Sequence, residues 1–130
     1  MRTSGKRAAL GNLHAAAPAD LIRRVGEIAH GDELARALAD ALLQPLERED
    51  AERGSDLAAT LRAYYDCELR VDRTAERLFL HRNSVRYRLD RIRALIGMAL
   101  EEPTVVAAFA VAFACRAISS AQLVEERHAG

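Results

Sequence analysis

The stretch VDRTAERLFLHRNSVRYRLDRI, residues 71–92, decides the fold of this chain. Its apolar residues have the spacing of two short helices that are joined by a tight turn. Val85, Leu89 and Ile92 fall on one face of the second helix, which predicts a single buried stripe. Ala75 on the first helix is small enough to let the two helices cross closely. The stretch therefore predicts a helix-turn-helix.

The outward face of the second helix carries side chains that are suited to contact DNA. An arginine can donate to O6 and N7 of guanine, and an asparagine can pair with N6 and N7 of adenine. Because the first residues of such a helix enter the major groove, we expect Arg82, Asn83 and Arg86 to read bases. We expect contacts to phosphates, which set the register without reading sequence, from His81, Ser84, Tyr87, Arg88 and Arg91 on the second helix and from Arg73 and Arg77 on the first.

A solvated helix face is the alternative explanation of these arginines, with pairs such as Arg86–Asp90 four residues apart. Ser84 could likewise satisfy a free backbone N–H in the first turn of its helix. Six outward hydrogen-bond donors, however, coincide with a short helix, a tight turn and the small Ala75. This combination favours DNA binding.

The charge of the chain is segregated along its length. The 19 basic residues (Lys and Arg) balance the 19 acidic ones, so the formal net charge is zero. Residues 70–96 nevertheless hold eight arginines against three acids, a local charge of +5, and the remainder carries −5. Because the local field governs attraction to DNA, overall neutrality does not exclude a DNA-binding protein. It predicts that non-specific binding is weak.

The composition favours an all-α fold. Alanine and leucine dominate, aromatic residues are few and tryptophan is absent, so we expect a helical bundle that contains the helix-turn-helix. We divide the chain into a flexible N-terminal arm (1–17), lead-in helices (18–46), the helix-turn-helix domain (47–118) and a flexible tail (119–130).

Several helix ends are predicted from local signals. Pro45 should bend or end the second lead-in helix, and the acidic stretch 47–56 should be a solvated connector. Ser55 and Asp72 are the expected N-caps of the two following helices. Gly97 should end the second helix of the motif in a left-handed conformation.

The last helix should begin with Pro103 in its first turn and is apolar nearly all round. Such a helix must be buried on several sides or packed against a partner chain, and Phe109 and Phe113 mark the expected surface for self-association. A plain core helix is the alternative. The apolar run 105–115 covers eleven residues, which predicts that it is too short to cross a bilayer.

Residues 57–103 resemble the C-terminal DNA-binding domain of the PucR family, and the similarity extends over about residues 38–118. The family comprises bacterial transcription regulators of purine and sugar-diacid catabolism, with a helix-turn-helix similar to that of Fis. The block TAERLFLHRNSVRYRL carries the resemblance most specifically. The resemblance places at the family's motif positions Thr74, Ala75, His81, Arg82, Asn83, Ser84, Arg86, Tyr87 and Arg88.

The sequence departs from the family pattern in a few places. Phe79 stands where many helix-turn-helix proteins have glycine, and Asp90 stands where a basic residue is frequent. The connector of residues 68–70 lacks the usual glycines and asparagine. Family members usually carry a long N-terminal sensory region, and we expect this chain to act without one.

The resemblance implies a sequence-specific, DNA-binding transcriptional regulator in the cytoplasm, associated with the nucleoid when bound to DNA. The expected partners are double-stranded DNA and either a second copy in a homodimer or full-length relatives, with no membrane, cofactor or metal. The alternative is a truncated interaction module that associates with longer family members without productive DNA binding. No enzyme is expected, because the four histidines and the carboxylates show no catalytic spacing.

Overall fold

Seven helices form the regular structure of the computed structural model, which describes residues 16–129. In chain order they are α1 (Pro18–Arg23), α2 (Val25–His30), α3 (Glu33–Arg53), α4 (Leu57–Asp66), α5 (Val71–Leu78), α6 (Arg82–Ile96) and α7 (Pro103–Ala129). No strand occurs in the described range, and the predicted all-α fold is confirmed. The N-terminal arm lies almost wholly outside the described residues.

The helix-turn-helix is α5, a short turn and α6. Its second helix spans Arg82 to Ile96 and is followed by Gly97, which adopts the left-handed conformation with φ of 72°. Both ends agree with the sequence, because glycine has no Cβ to oppose a positive φ. The first helix begins one residue before Asp72, so Asp72 lies in its first turn and the prediction of an Asp72 N-cap is wrong.

Helix α3 differs most from the prediction. It continues through Pro45 to Arg53, and the predicted connector at residues 47–56 is largely its last two turns. Proline inside a helix costs about 3 kcal/mol. Leu42, Leu43 and Leu46 are nevertheless buried on either side of it, and this tertiary packing opposes a break. Helix α3 is closed only after Arg53, by Gly54 in the left-handed conformation with φ of 64°.

The cap of helix α4 comes from Asp50, which lies in the preceding helix and not at the start of α4. The carboxylate of Asp50 accepts hydrogen bonds from the backbone N–H groups of Leu57 (2.7 Å) and Ala58 (3.1 Å). It also accepts one from the hydroxyl of Ser55 at 2.7 Å, so Ser55 is not the cap that was predicted. A carboxylate on one helix thereby satisfies free N–H groups at the start of the next.

The core forms where α7 and α3 pack against the other helices. Helix α7 contacts α2 and α3, while α4 contacts α3, α5 and α6. The largest fully buried apolar side chains are Phe109, Leu43, Leu46, Leu61, Leu89, Ile92, Leu100 and Val85. The last helix thus supports the helix-turn-helix indirectly, through α3 and α4.

A close crossing of α2 and α7 was not predicted. A Cβ added to Gly26 would lie 2.8 Å from the carbonyl oxygen of Ala114 and 3.2 Å from Cγ1 of Ile118. The missing side chain of Gly26 therefore allows the two backbones to approach.

Helix α7 is longer than its apolar core sequence indicated. It runs to Ala129, through the segment that was predicted to be a loose tail. Its part Pro103–Glu125 spans 23 residues with a mean hydropathy of 1.7, so by length and composition alone it could cross a membrane. The prediction from the eleven-residue run 105–115 that this helix is too short to cross a bilayer was therefore wrong as a statement about length. Core helices meet the same criterion, and α7 buries Val105, Phe109 and Ala112 within the bundle.

Candidate nucleic-acid interface

The turn between α5 and α6 is held by backbone hydrogen bonds. The N–H of Leu80 donates to the carbonyl of Ala75 at 2.9 Å, across a left-handed Phe79 with φ of 56°. Ala75 itself is buried where the two helices meet, as the sequence indicated. Beside it, the buried Thr74 hydroxyl donates to the carbonyl of Arg70 at 2.7 Å. These contacts fix the direction in which the first turn of α6 points.

His81 is the N-cap of α6. Its Nδ1 accepts a hydrogen bond from the backbone N–H of Asn83 at 3.1 Å. Local signals indicate Ser84 for this role and do not indicate His81, because an imidazole ring is not among the usual capping groups. His81 forms this hydrogen bond through Nδ1 and lies exposed at the beginning of the helix.

The beginning of α6 gathers most of the predicted site residues on one exposed surface. We call this surface the α6 tip, and it comprises His81, Arg82, Asn83, Ser84, Arg86 and Tyr87. Nη1 of Arg86 donates to Oδ1 of Asn83 at 3.5 Å, a long bond that leaves the guanidinium exposed. Tyr87 is 71% exposed. The tip thus brings two guanidinium groups, an amide and a phenol together.

Arg88 and Arg91 lie elsewhere. Nη1 of Arg88 donates to the hydroxyl of Thr60 at 3.1 Å, and this hydrogen bond joins α6 to α4. Nε of Arg91 donates to both carboxylate oxygens of Glu49 on α3, at 3.0 and 2.8 Å. Both arginines were predicted to contact phosphates, and both instead form hydrogen bonds with other helices of this chain.

Arg73 and Arg77 on α5 have weaker partners. Arg73 lies 3.7 Å from Glu68, and Arg77 lies 3.7 Å from Asp66, with all four side chains about half or more exposed. Exposed pairs of this kind contribute about 0–1 kcal/mol and are screened by salt. A phosphate could displace these carboxylates at little cost.

Asp90, which departs from the family pattern, is paired within α6. Its carboxylate accepts a hydrogen bond from Nη1 of Arg93 at 2.9 Å, and the alternative pair Arg86–Asp90 is not formed. Arg93 also binds Glu101, which accepts a hydrogen bond from the hydroxyl of Tyr64 at 3.0 Å. This group ties the end of α6 to the loop before α7.

The same group shifts two ionisations. Burial raises the pKa of Glu101, but hydrogen bonds from Arg93 and Tyr64 outweigh it, so the pKa of that carboxyl lies below its usual value. Burial, with the hydrogen bond to Glu101, raises the pKa of Tyr64 to about 12. Both shifts favour the protonation states that exist near neutral pH.

No group of three His, Cys, Asp or Glu side chains suited to a metal occurs in the described part of the chain.

Residues 57–116 match the model of the PucR C-terminal helix-turn-helix domain. These residues are a PucR-type domain. They contain α4, α5, α6 and the first half of α7, so the α6 tip lies within the match.

Similar proteins match over about half of this chain. An uncharacterized protein in the pkwA 5′ region of Thermomonospora curvata is 46% identical over 69 residues, which are 53% of this chain and 38% of that protein. The purine catabolism regulatory protein of Bacillus subtilis is 38% identical over 64 residues, 49% of this chain and 12% of that protein. An uncharacterized protein of Mycobacterium tuberculosis is 40% identical over 67 residues, 52% of this chain and 15% of that protein.

The matched parts are thus a minor share of each relative, between 12% and 38% of its length. No solved structure matches the chain. A PucR-type helix-turn-helix and a regulator among the relatives support a regulatory role that involves DNA binding.

Proposed function

We propose that the chain is a sequence-specific transcriptional regulator that reads the major groove of double-stranded DNA through the α6 tip. The observation that carries this proposal is the exposed cluster of Arg82, Asn83 and Arg86 at the beginning of α6. The first turns of a recognition helix are the part that reaches base edges in helix-turn-helix proteins.

Each residue of the tip has a role in the proposal. Arg82, Asn83 and Arg86 read bases, since their side chains can form paired hydrogen bonds with guanine or adenine. His81, Ser84 and Tyr87 contact the phosphate backbone and set the register. Arg73 and Arg77 exchange their exposed carboxylate partners for flanking phosphates. Arg88 and Arg91 instead hold α6 in position while they bind Thr60 and Glu49.

A single motif of this kind reads few base pairs, so we propose that two copies bind two half-sites. The surface for self-association is the open part of α7, because only 22% of the most apolar stretch of this helix is buried. Leu123 and Val124 are 61% and 54% exposed there. Phe109 is fully buried, so the expectation that it lines this surface is wrong. Light scattering of the purified chain, with Leu123→Glu as the variant, measures whether this surface forms a dimer.

Titration of the purified chain with its own upstream promoter DNA tests the function. Fluorescence anisotropy at several salt concentrations should show a binding constant that falls linearly with salt on logarithmic axes. A mixed-sequence duplex of equal length is the control for specificity. A flat salt response, or equal affinity for both duplexes, would contradict sequence-specific binding.

The second candidate is an interaction module that pairs with longer relatives and does not bind DNA productively. The exposed Asp90 on α6 favours it, because a carboxylate repels phosphates. Pairing with Arg93 offsets part of that charge. A complex with a full-length relative, together with absence of a shift on any duplex, would favour this candidate. In either case we propose a cytoplasmic protein, which associates with the nucleoid when it binds DNA.

A further inference from the structure

The pair Glu49–Arg91 connects the lead-in helix α3 with the recognition helix α6. Glu49 belongs to the acidic stretch that should have been solvated, yet it is only 9% exposed. Nε of Arg91 donates to both of its oxygens, and the second nitrogen, Nη2, reaches Oε1 as well. The hydrogen bonds from Arg91 lower the pKa of the Glu49 carboxyl, so Glu49 is ionised near neutral pH.

Arg91 lies beside the proposed DNA-facing surface. It follows Tyr87 by four residues, which places the two side chains on neighbouring parts of one helix face. Tyr87 is 71% exposed, and the Arg91 side chain keeps 37% of its surface exposed despite its contact with Glu49. The Arg91 side chain is thus partly exposed to solvent although it binds an anionic side chain of the same protein.

A carboxylate and a phosphate are interchangeable partners for a guanidinium group. Both accept two parallel N–H hydrogen bonds in the same forked geometry, and both neutralise one positive charge. The Glu49 carboxylate therefore occupies on Arg91 the donors that a DNA phosphate would use. Arg53, 3.9 Å from Glu49, is a second cation close to the same carboxylate.

Glu49 also lies outside the family match. The PucR-type domain begins at residue 57, whereas Glu49 is near the end of α3. Helix α3 is held a second time by Arg116 of α7, which binds Asp40 at 2.8 Å and Glu47 at 2.7 Å. The contact of Glu49 with Arg91 is therefore a link between the lead-in part of the chain and α6 that is separate from the link with α7.

We propose that Glu49 is an internal competitor of DNA, whose carboxylate holds Arg91 away from the phosphate backbone. While α3 keeps Glu49 in place, α6 engages DNA with its tip alone. Release of Glu49 adds one phosphate contact from Arg91 and raises the affinity for any sequence. The position of the end of α3 thereby sets the strength of DNA binding. This inference rests on the proposed DNA-binding function.

The salt dependence of binding separates competition from a purely structural role. Each phosphate that a protein neutralises on duplex DNA adds about 0.9 to the slope of log K against log salt. Glu49→Gln keeps the shape of the side chain but removes its charge. We expect this variant to bind a mixed-sequence duplex more tightly at low salt, with a slope steeper by about 0.9. The gain should be absent in Glu49→Gln/Arg91→Ala, which also shows that Arg53 is not its source.

Glu47→Gln is the matched control. It makes the same chemical change two residues earlier on the same helix, at a carboxylate that binds Arg116 of α7 instead of α6. We expect it to leave the salt slope unchanged. Circular dichroism of each variant reports whether the fold is kept, and Glu49→Asp, which retains the charge on a shorter side chain, replaces Glu49→Gln if that variant does not fold. In that case a slope between those of the unmodified chain and one added phosphate is expected.

Two results would overturn the inference. A folded Glu49→Gln, or the replacement Glu49→Asp, with the unmodified slope would show that Glu49 only stabilises the fold. A steeper slope that persists in the double variant would assign the added contact to another cation. If the unmodified chain shows no salt-dependent binding to its own upstream promoter duplex either, the proposed function fails, and the inference fails with it.

Discussion

The two ends of α6, residues 82–87 and residues 88–96, which we call its first and second halves, carry the same kind of residue and use it differently. In the first half, Arg82 and Arg86 are exposed at the tip, and the hydrogen bond that Arg86 donates to Asn83 is long. In the second half, Arg88, Arg91 and Arg93 bind partners on α4, on α3 and in the loop before α7. The number of arginines on a helix therefore does not equal the number that DNA can contact. Their angular position relative to neighbouring helices decides which ones remain available.

Leu89 supports both halves, and its truncation should have the largest effect. Leu89 is 1% exposed and belongs to the buried stripe of α6. We expect Leu89→Ala to lower the free energy of unfolding by about 2–5 kcal/mol, because it leaves a cavity. Urea denaturation followed by circular dichroism measures this change, with the exposed Ala94→Ser as the control. A loss below 1 kcal/mol would mean that the packing of α6 is less important than the structure indicates.

Arg82→Ala is the direct test of the first half. We expect a loss of about 1–3 kcal/mol in binding free energy for the specific site, with relaxed discrimination at one base pair. The melting temperature should not change, because Arg82 is exposed and has no hydrogen-bond or ion-pair partner in the described part of the chain. Anisotropy titrations with the specific and the mixed-sequence duplex measure both quantities. An equal loss on the two duplexes would assign Arg82 to phosphate contact.

Arg88→Ala is the matching test of the second half. Its guanidinium binds the hydroxyl of the buried Thr60, so we expect the free energy of unfolding to fall by about 1 kcal/mol. DNA affinity of the folded variant should change less than it does in Arg82→Ala. The opposite pattern, an unchanged stability with a large loss of binding, would place Arg88 on the DNA and remove the contrast between the halves.

We expect the pair Arg93–Glu101 to make the stability of the protein depend slightly on pH. This effect arises in the second half of α6 alone. The folded pKa of Glu101 lies below its ordinary value of 4.5, so its stabilising effect is present above that pH. It is lost as the pH falls from about 4.5 through the folded pKa, because the protonated carboxyl no longer pairs with Arg93. Glu101→Gln should therefore show a shallower decline of melting temperature over this range. Equal declines in both proteins would contradict the predicted role of the pair.

Local patterns predicted the helix-turn-helix better than they predicted the helices before it. The extent of α6, the left-handed Gly97 and the buried Ala75 follow from short-range spacing and steric rules, and the sequence was sufficient for them. Pro45 and the acidic stretch after it were misleading. Local rules favour a break there, whereas leucines packed on both sides of Pro45 maintain the helix.

The sequence by itself determined the all-α class, the helix-turn-helix and the segregation of positive charge on its second helix. These properties depend on helical periodicity and on residue type, which act within one or two turns. Only the tertiary structure decided which arginines stay exposed. Arg88 meets Thr60 28 positions away, and Arg91 meets Glu49 42 positions away. No local spacing encodes such pairs, because they form only when the packing of the core brings α3 and α4 against α6.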